Sequence, residues 1–93
     1  MSATILVVED EAVIARDIKT TLEGFGYRVP PPVASGALAL DAVAAHHPDL
    51  VLMDIRIQGD LDGIQTATRI RAKHRAPIIY GSSSKAGAVD QAA

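Results

Sequence analysis

Two four-residue runs, ILVV at Ile5–Val8 and LVLM at residues 50–53, constrain the fold of this chain more than any other feature. Neither run alternates apolar with polar residues, so a strand built from either must be covered on both faces. Such strands belong to parallel sheets with helices above and below. Both runs are far too short to cross a bilayer, which takes about 20 apolar residues. Each stops at carboxylates: Glu9, Asp10 and Glu11 after the first, Asp54 after the second. A segment suited to burial that ends in charge is the problem this sequence poses.

The intervening residues supply the helices. Ile14, Ile18, Leu22 and Phe25 recur at three- and four-residue steps, with Glu11 near the positive end of that helix and Gly24 or Gly26 available to stop it. Residues 27–29 read as a brief second strand, cut short by Pro30, Pro31 and Pro32. Prolines cannot donate to a central ladder, so that strand belongs at an edge. Ser35 is placed to N-cap an Ala-rich helix from Gly36 to about His46, closed by His47-Pro48. A loop runs from Asp54 to Asp62-Gly63. Beyond it Ile64, Ala67 and Ile70, with a basic tail over 69–75, predict a third helix whose cations gather at its negative end. Pro77 introduces a fourth strand at 78–80, and Gly-Ser-Ser-Ser follows. The order βαβαβαβ implies an α/β fold with right-handed crossovers.

Composition narrows the classes. Ninety-three residues make one domain with one modest core, and 48% apolar with 22% charged residues excludes disorder. One Phe, two Tyr and no Trp make that core aliphatic. The net charge of −2 gives no electrostatic reason to expect nucleic acid or a membrane as partner. Without cysteine there is no disulfide or thiolate metal site. The N-terminus lacks a basic n-region and its apolar stretch ends in acids, so no signal peptide is expected and the location is cytoplasmic.

In a doubly wound sheet ligands sit beyond the carboxyl ends of the strands. If the first and third strands are neighbours, Glu9, Asp10 and Asp54 converge on one rim. Alone, such a cluster is unfavourable, because like charges crowd. Mg²⁺ resolves the conflict, since it prefers oxygen ligands and is usually held by one or two carboxylates, waters and phosphate oxygens. Ser82, after the fourth strand, could donate to a phosphoryl oxygen at the same rim. Asp54 is therefore a candidate nucleophile of the aspartyl-phosphate kind. For one acid alone, helix capping or simple solvation is the better explanation; the combination on successive strands reverses that and favours the site.

ILVVEDE, LVLMDIRIQGDLDG and PIIYGSS together resemble the response-regulator receiver domains of two-component phosphorelays, in register from Ile5 to about Ser83. The resemblance implies a flavodoxin-like doubly wound parallel sheet with strand order 2-1-3-4. It implies Asp54 as phosphoacceptor, served by a sensor histidine kinase or phosphotransfer protein, with an unidentified downstream protein target. It further implies Mg²⁺ bound by Asp10 directly, by Glu9 mainly through water, by Asp54 and by the backbone carbonyl of Arg56, with Ser82 as the switch hydroxyl. Such a domain is a signalling module, not an enzyme acting on other substrates.

The chain departs from the family in three places. Gln58 stands where a Pro is usual, in a loop that looks one residue longer, and Gly81 replaces an apolar strand residue. Eleven residues follow Ser82, whereas a further strand and helix need roughly 20 to 25. The fifth strand, the Lys at its end and the last helix are therefore expected to be missing, leaving residues 1–93 as one C-terminally short domain with 84–93 a short helix or frayed tail. Lys85, in the loop, is a weak substitute for that Lys. An uncovered fourth strand would allow two copies to pair by edge contact or strand exchange.

The competing readings are a phosphorylation-independent pseudo-receiver or truncated interaction module, a haloacid-dehalogenase-type phosphohydrolase and a flavin binder. The hydrolase wants a second acid at position 56, where Arg56 stands. The flavin binder needs a phosphate loop where Glu9-Asp10-Glu11 would repel phosphate. His46, His47 and His74 fall at helix ends, and Arg69, Arg71, Lys73 and Arg75 lack the aromatic company of a nucleic-acid site.

Overall fold

The computed structural model describes residues 2–54, 57 and 61–81. Its elements run β1 (Ile5–Val8), α1 (Ala12–Gly24), α2 (Gly36–His46), β2 (Leu50–Asp54), α3 (Gly63–Lys73) and β3 (Ile78–Gly81). The three strands form one parallel sheet in the order β1-β2-β3. This is the doubly wound α/β architecture expected from two apolar runs separated by helices.

The expected strand at 27–29 is corrected. It is reduced to two isolated parallel bridges on the outer side of β1, Thr4 with Arg28 and Val8 with Val33. The hydrogen bonds are sound where they exist: Ile5 N–H donates to the Arg28 carbonyl at 2.9 Å and Val33 N–H to the Val7 carbonyl at 3.0 Å. Between the bridges lie Pro30, Pro31 and Pro32, which have no N–H to give a ladder. The outer segment also spends five residues, Arg28 to Val33, where β1 advances four, Thr4 to Val8. The order of segments across the sheet is still second, first, third, fourth.

Register sorts the strand residues between two faces. Leu6, Val51 and Ile78 align, as do Val8, Met53 and Tyr80. These meet Ala39, Ala42 and Val43 of α2, Ile70 of α3 and Ile57 of the β2–α3 connection in the main core. The Arg71 guanidinium lies 5.9 Å from the Tyr80 ring centroid at its margin, within cation–π range. On the other face Val7, Leu52 and Ile79 align, and α1 packs there against β1 with Ala15 buried. Lys19 ties α1 to the outer segment by donating to the Val29 carbonyl at 2.7 Å, and it pairs with Glu23 at 2.8 Å.

Local chemistry sets the helix ends. Ser35 caps α2 as expected, accepting from Leu38 N–H at 3.2 Å, and His47 ends it in the left-handed region at φ 48°. Asp62 caps α3 with a full capping box: its carboxylate accepts from Gln65 N–H at 2.7 Å, while the Gln65 side chain accepts from Asp62 N–H at 3.1 Å. Gly36 allows the starts of α2 and α3 to meet. A Cβ there would collide with Thr66 Oγ1 and lie 2.9 Å from Leu61 Cβ. Among the described residues, no helix is long and apolar enough to cross a membrane.

Candidate acidic site

β1 and β2 pair through Val8 and Met53, so their next residues, Glu9 and Asp54, emerge side by side at the carboxyl rim. Asp54 remains within β2 and is paired on its other side with Gly81. Asp10 occupies the bend that leads into α1. Carboxylate oxygens of Glu9, Asp10 and Asp54 all lie within 4.8 Å of one another. The convergence that depended on neighbouring strands is therefore realised.

Two of these acids are inside the protein: Glu9 is 4% exposed and Asp54 5%, whereas Asp10 is half-buried. Burial holds them in place. Glu9 N–H donates to the Val33 carbonyl at 2.9 Å, pinning its backbone to the outer segment. Its Oε2 accepts from Glu11 N–H at 3.1 Å. Glu11 is the N-cap residue of α1 but makes no side-chain cap bond, so Glu9 serves an N–H at that helix start instead. The positive end of the α1 dipole also lies beside the cluster and favours negative charge there. The sequence reading missed this local role of Glu9, for which the only signal was the absence of Ser, Thr, Asp or Asn at position 11.

The donor set consists of hard oxygens alone, and its spread is close to the roughly 4.2 Å across a Mg²⁺ ion, twice the Mg–O distance of about 2.1 Å. A group of three carboxylates, two of them buried, fits a hard divalent cation. Rigid placement at a strand end also suits Asp54 for nucleophilic attack on an electrophile delivered from solvent. Of the other expected site residues, Arg56 and Ser82 lie outside the described residues, as do Gln58, Lys85 and the segment 84–93.

A family model described as the response regulator receiver domain matches residues 5–93. The transcriptional regulatory protein PdtaR of Mycobacterium tuberculosis is 37% identical over 75 residues, covering 81% of this chain and 36% of the relative. A positive alginate biosynthesis regulatory protein of Pseudomonas aeruginosa is 42% identical over 78 residues, 81% of this chain and 31% of that one. This chain thus spans about a third of the length of such curated relatives. Among solved structures, the signal receiver domain of a modulated diguanylate cyclase from Desulfovibrio desulfuricans superposes with a TM-score of 0.83 at 34% identity, over 97% of this chain and 72% of that one. The receiver domain of a sensor histidine kinase from Pseudomonas aeruginosa, with a magnesium ion in its active-site cleft, gives 0.79 at 34% identity, over 97% and 75%.

Proposed function

Because the chain belongs to the response regulator receiver domain family, we propose that it is a phosphoacceptor switch in a two-component phosphorelay, with Asp54 as acceptor. The observation that carries this reading is the convergence of Glu9, Asp10 and Asp54 on one rim. An Asp54 carboxylate oxygen attacks the phosphorus of a phosphohistidine on a sensor histidine kinase or phosphotransfer protein. The new P–O bond forms as the P–N bond breaks, and the electron pair leaves with the imidazole. Asp10 directly, Glu9 mainly through water, Asp54 and the Arg56 carbonyl would hold Mg²⁺, which when bound would supply positive charge to offset that of the phosphoryl group. Ser82 follows the residue paired with Asp54 and is assigned the hydrogen bond to a phosphoryl oxygen. The chemistry is confined to the domain's own acceptor, in the cytoplasm, and the output is a changed surface read by a downstream protein.

The surroundings suit a protein donor. Helices that follow parallel strands begin at the carboxyl rim. Val13 in the first turn of α1 is 74% exposed, Ile64 in that of α3 55% and Leu38 in that of α2 50%. Apolar side chains around a charged centre offer a docking rim to another macromolecule.

The test is incubation with Mg²⁺ and acetyl phosphate, read by intact mass, beside an Asp54→Asn variant. One phosphoryl adduct in the wild type and none in the variant is expected. An unmodified but folded wild type would move the reading to a phosphorylation-independent receiver. A second measurement isolates the metal. Mg²⁺ at a hundred times its dissociation constant should stabilise the wild type against urea by about 2.7 kcal/mol, and Asp54→Asn by clearly less.

A further inference from the structure

The outer side of α2 is apolar. Besides its core residues Ala39, Ala42 and Val43, the helix leaves Ala37, Leu38, Ala44 and Ala45 exposed, with Asp41 as the one acid among them. α1 by contrast turns Arg16, Asp17, Thr20 and Glu23 outward, as a solvated helix does. α2 and α3 meet at their starts, where Gly36 adjoins Thr66. Farther along, a cavity of about 310 Å³ opens between them, lined by Leu40 and Asp41 of α2 and by Arg69, Ala72, Lys73 and His74 at the end of α3. We propose that this groove docks an acidic amphipathic helix of a partner protein, its apolar stripe on Leu40 and Ala72 and its carboxylates against Arg69 and Lys73.

The α2 wall has the spacing of a helix-packing face. Ala37, Leu40, Asp41 and Ala44 recur at i, i+3, i+4 and i+7, and the small side chains let a neighbour approach. The α3 wall supplies the charge. Arg69 and Lys73 stand four residues apart, a spacing at which like charges repel, and neither has an ion-pair partner among the described residues. The α3 dipole accounts for a cation in the last turn, such as Lys73, but Arg69 lies before that turn. Carboxylates brought by a partner relieve the repulsion. Asp41 on the facing wall, also without an ion pair among the described residues, complements a single lysine or arginine on the other edge of the same helix. Mixed signs on an aliphatic floor suit a polypeptide better than nucleic acid, since Asp41 repels phosphate and no aromatic ring lines the groove for a base to stack on. The groove is also set apart from β3 and the residues that follow it. Arg71 reaches over Tyr80 of β3, whereas Arg69 and Lys73 line the side of α3 toward α2. No step at Asp54 enters the proposal, which stands without the phosphoacceptor reading.

The probe is a fluorescein-labelled helical peptide of about 15 residues, titrated by anisotropy. It carries leucines and alanines along one stripe, two glutamates on one edge of the stripe and a lysine on the other. Saturable binding is expected. Arg69→Glu combined with Lys73→Glu should raise Kd about tenfold or more, because each reversal replaces an attraction by a repulsion, and less so at high salt. A peptide with lysines in place of the two glutamates should regain binding to that variant and bind the wild type poorly. Ala72→Gln, which puts a larger polar side chain into the groove at unchanged charge, should raise Kd about threefold or more. Arg16→Glu combined with Arg28→Glu makes the same change of net charge outside the groove and should bind as the wild type does. All five altered residues are exposed, and circular dichroism and acetyl phosphate labling of each variant check folding and acceptor chemistry separately from docking. Absence of saturable binding would overturn the proposal, as would equal losses from the Arg69 and Arg16 double variants or failure of the charge-swapped peptide. A doubled particle mass abolished by Ala72→Gln would give the groove to a second copy. Tighter binding of a single-stranded oligonucleotide at the same residues would give it to nucleic acid, and nuclear Overhauser contacts from Ala72 to residues 82–93 to the chain itself.

Discussion

Ile78 and Ile79 are neighbours of the same type on the same strand, yet they belong to different environments. Ile78 faces α2 and α3 and joins a core in which Leu6, Val51 and Ile70 are fully buried. Ile79 faces the α1 side and is half exposed. The alternation of the pleat sends the two side chains to opposite faces, and only one face is closed among the described residues. Burial here is set by what is layered on a strand. The closed face holds the fold together, whereas among the described residues the α1 face leaves Ile79 half exposed.

The largest expected effect lies on the closed side. Ile70→Ala removes a fully buried side chain from the main core and should cost about 2–5 kcal/mol in urea denaturation; a loss below about 1 kcal/mol would erase the distinction between the faces. Next is Gly36→Ala, which forces a methyl group against Thr66 Oγ1 and Leu61. It should cost about 1–3 kcal/mol, part of it recovered when Thr66→Ala is added, so the two changes are non-additive. The smallest effect belongs to the open face. Ile79→Ser should change stability by no more than about 0.5 kcal/mol, since surface substitutions rarely do more. A loss matching that of Ile70→Ala would show that the α1 side is covered in solution.

The acid cluster was legible in the sequence because a fully apolar run leaves no choice about where its terminal charges go. ILVV and LVLM had to lie inside, so Glu9 and Asp54 had to appear at the rim, and pairing of Val8 with Met53 set them level. Ser35 was legible for a similarly local reason, as a hydroxyl just before an Ala-rich helix. The second strand was read as brief and at an edge because Pro30, Pro31 and Pro32 lack donors, and that constraint proves stronger than read, leaving only isolated bridges at Arg28 and Val33. Asp62 was read as part of a turn, although Gln65 three residues on completes a capping box. The contact of Gly36 with Thr66 joins two helices across the domain and leaves no trace in either segment alone.

The proline segment has a consequence for assembly. A sheet lengthens by strand addition much as a polymer lengthens by condensation, and continued growth needs monomers with two reactive ends. On the outer flank, three of the four residues between the bridges at Arg28 and Val33 carry no N–H, so that flank cannot template a further ladder. Among the described residues this leaves β3 as the other flank. Among the described residues the sheet is monofunctional in the chemist's sense. Two copies that met along β3 would consume each other's reactive edge, and growth by that route would stop at the pair.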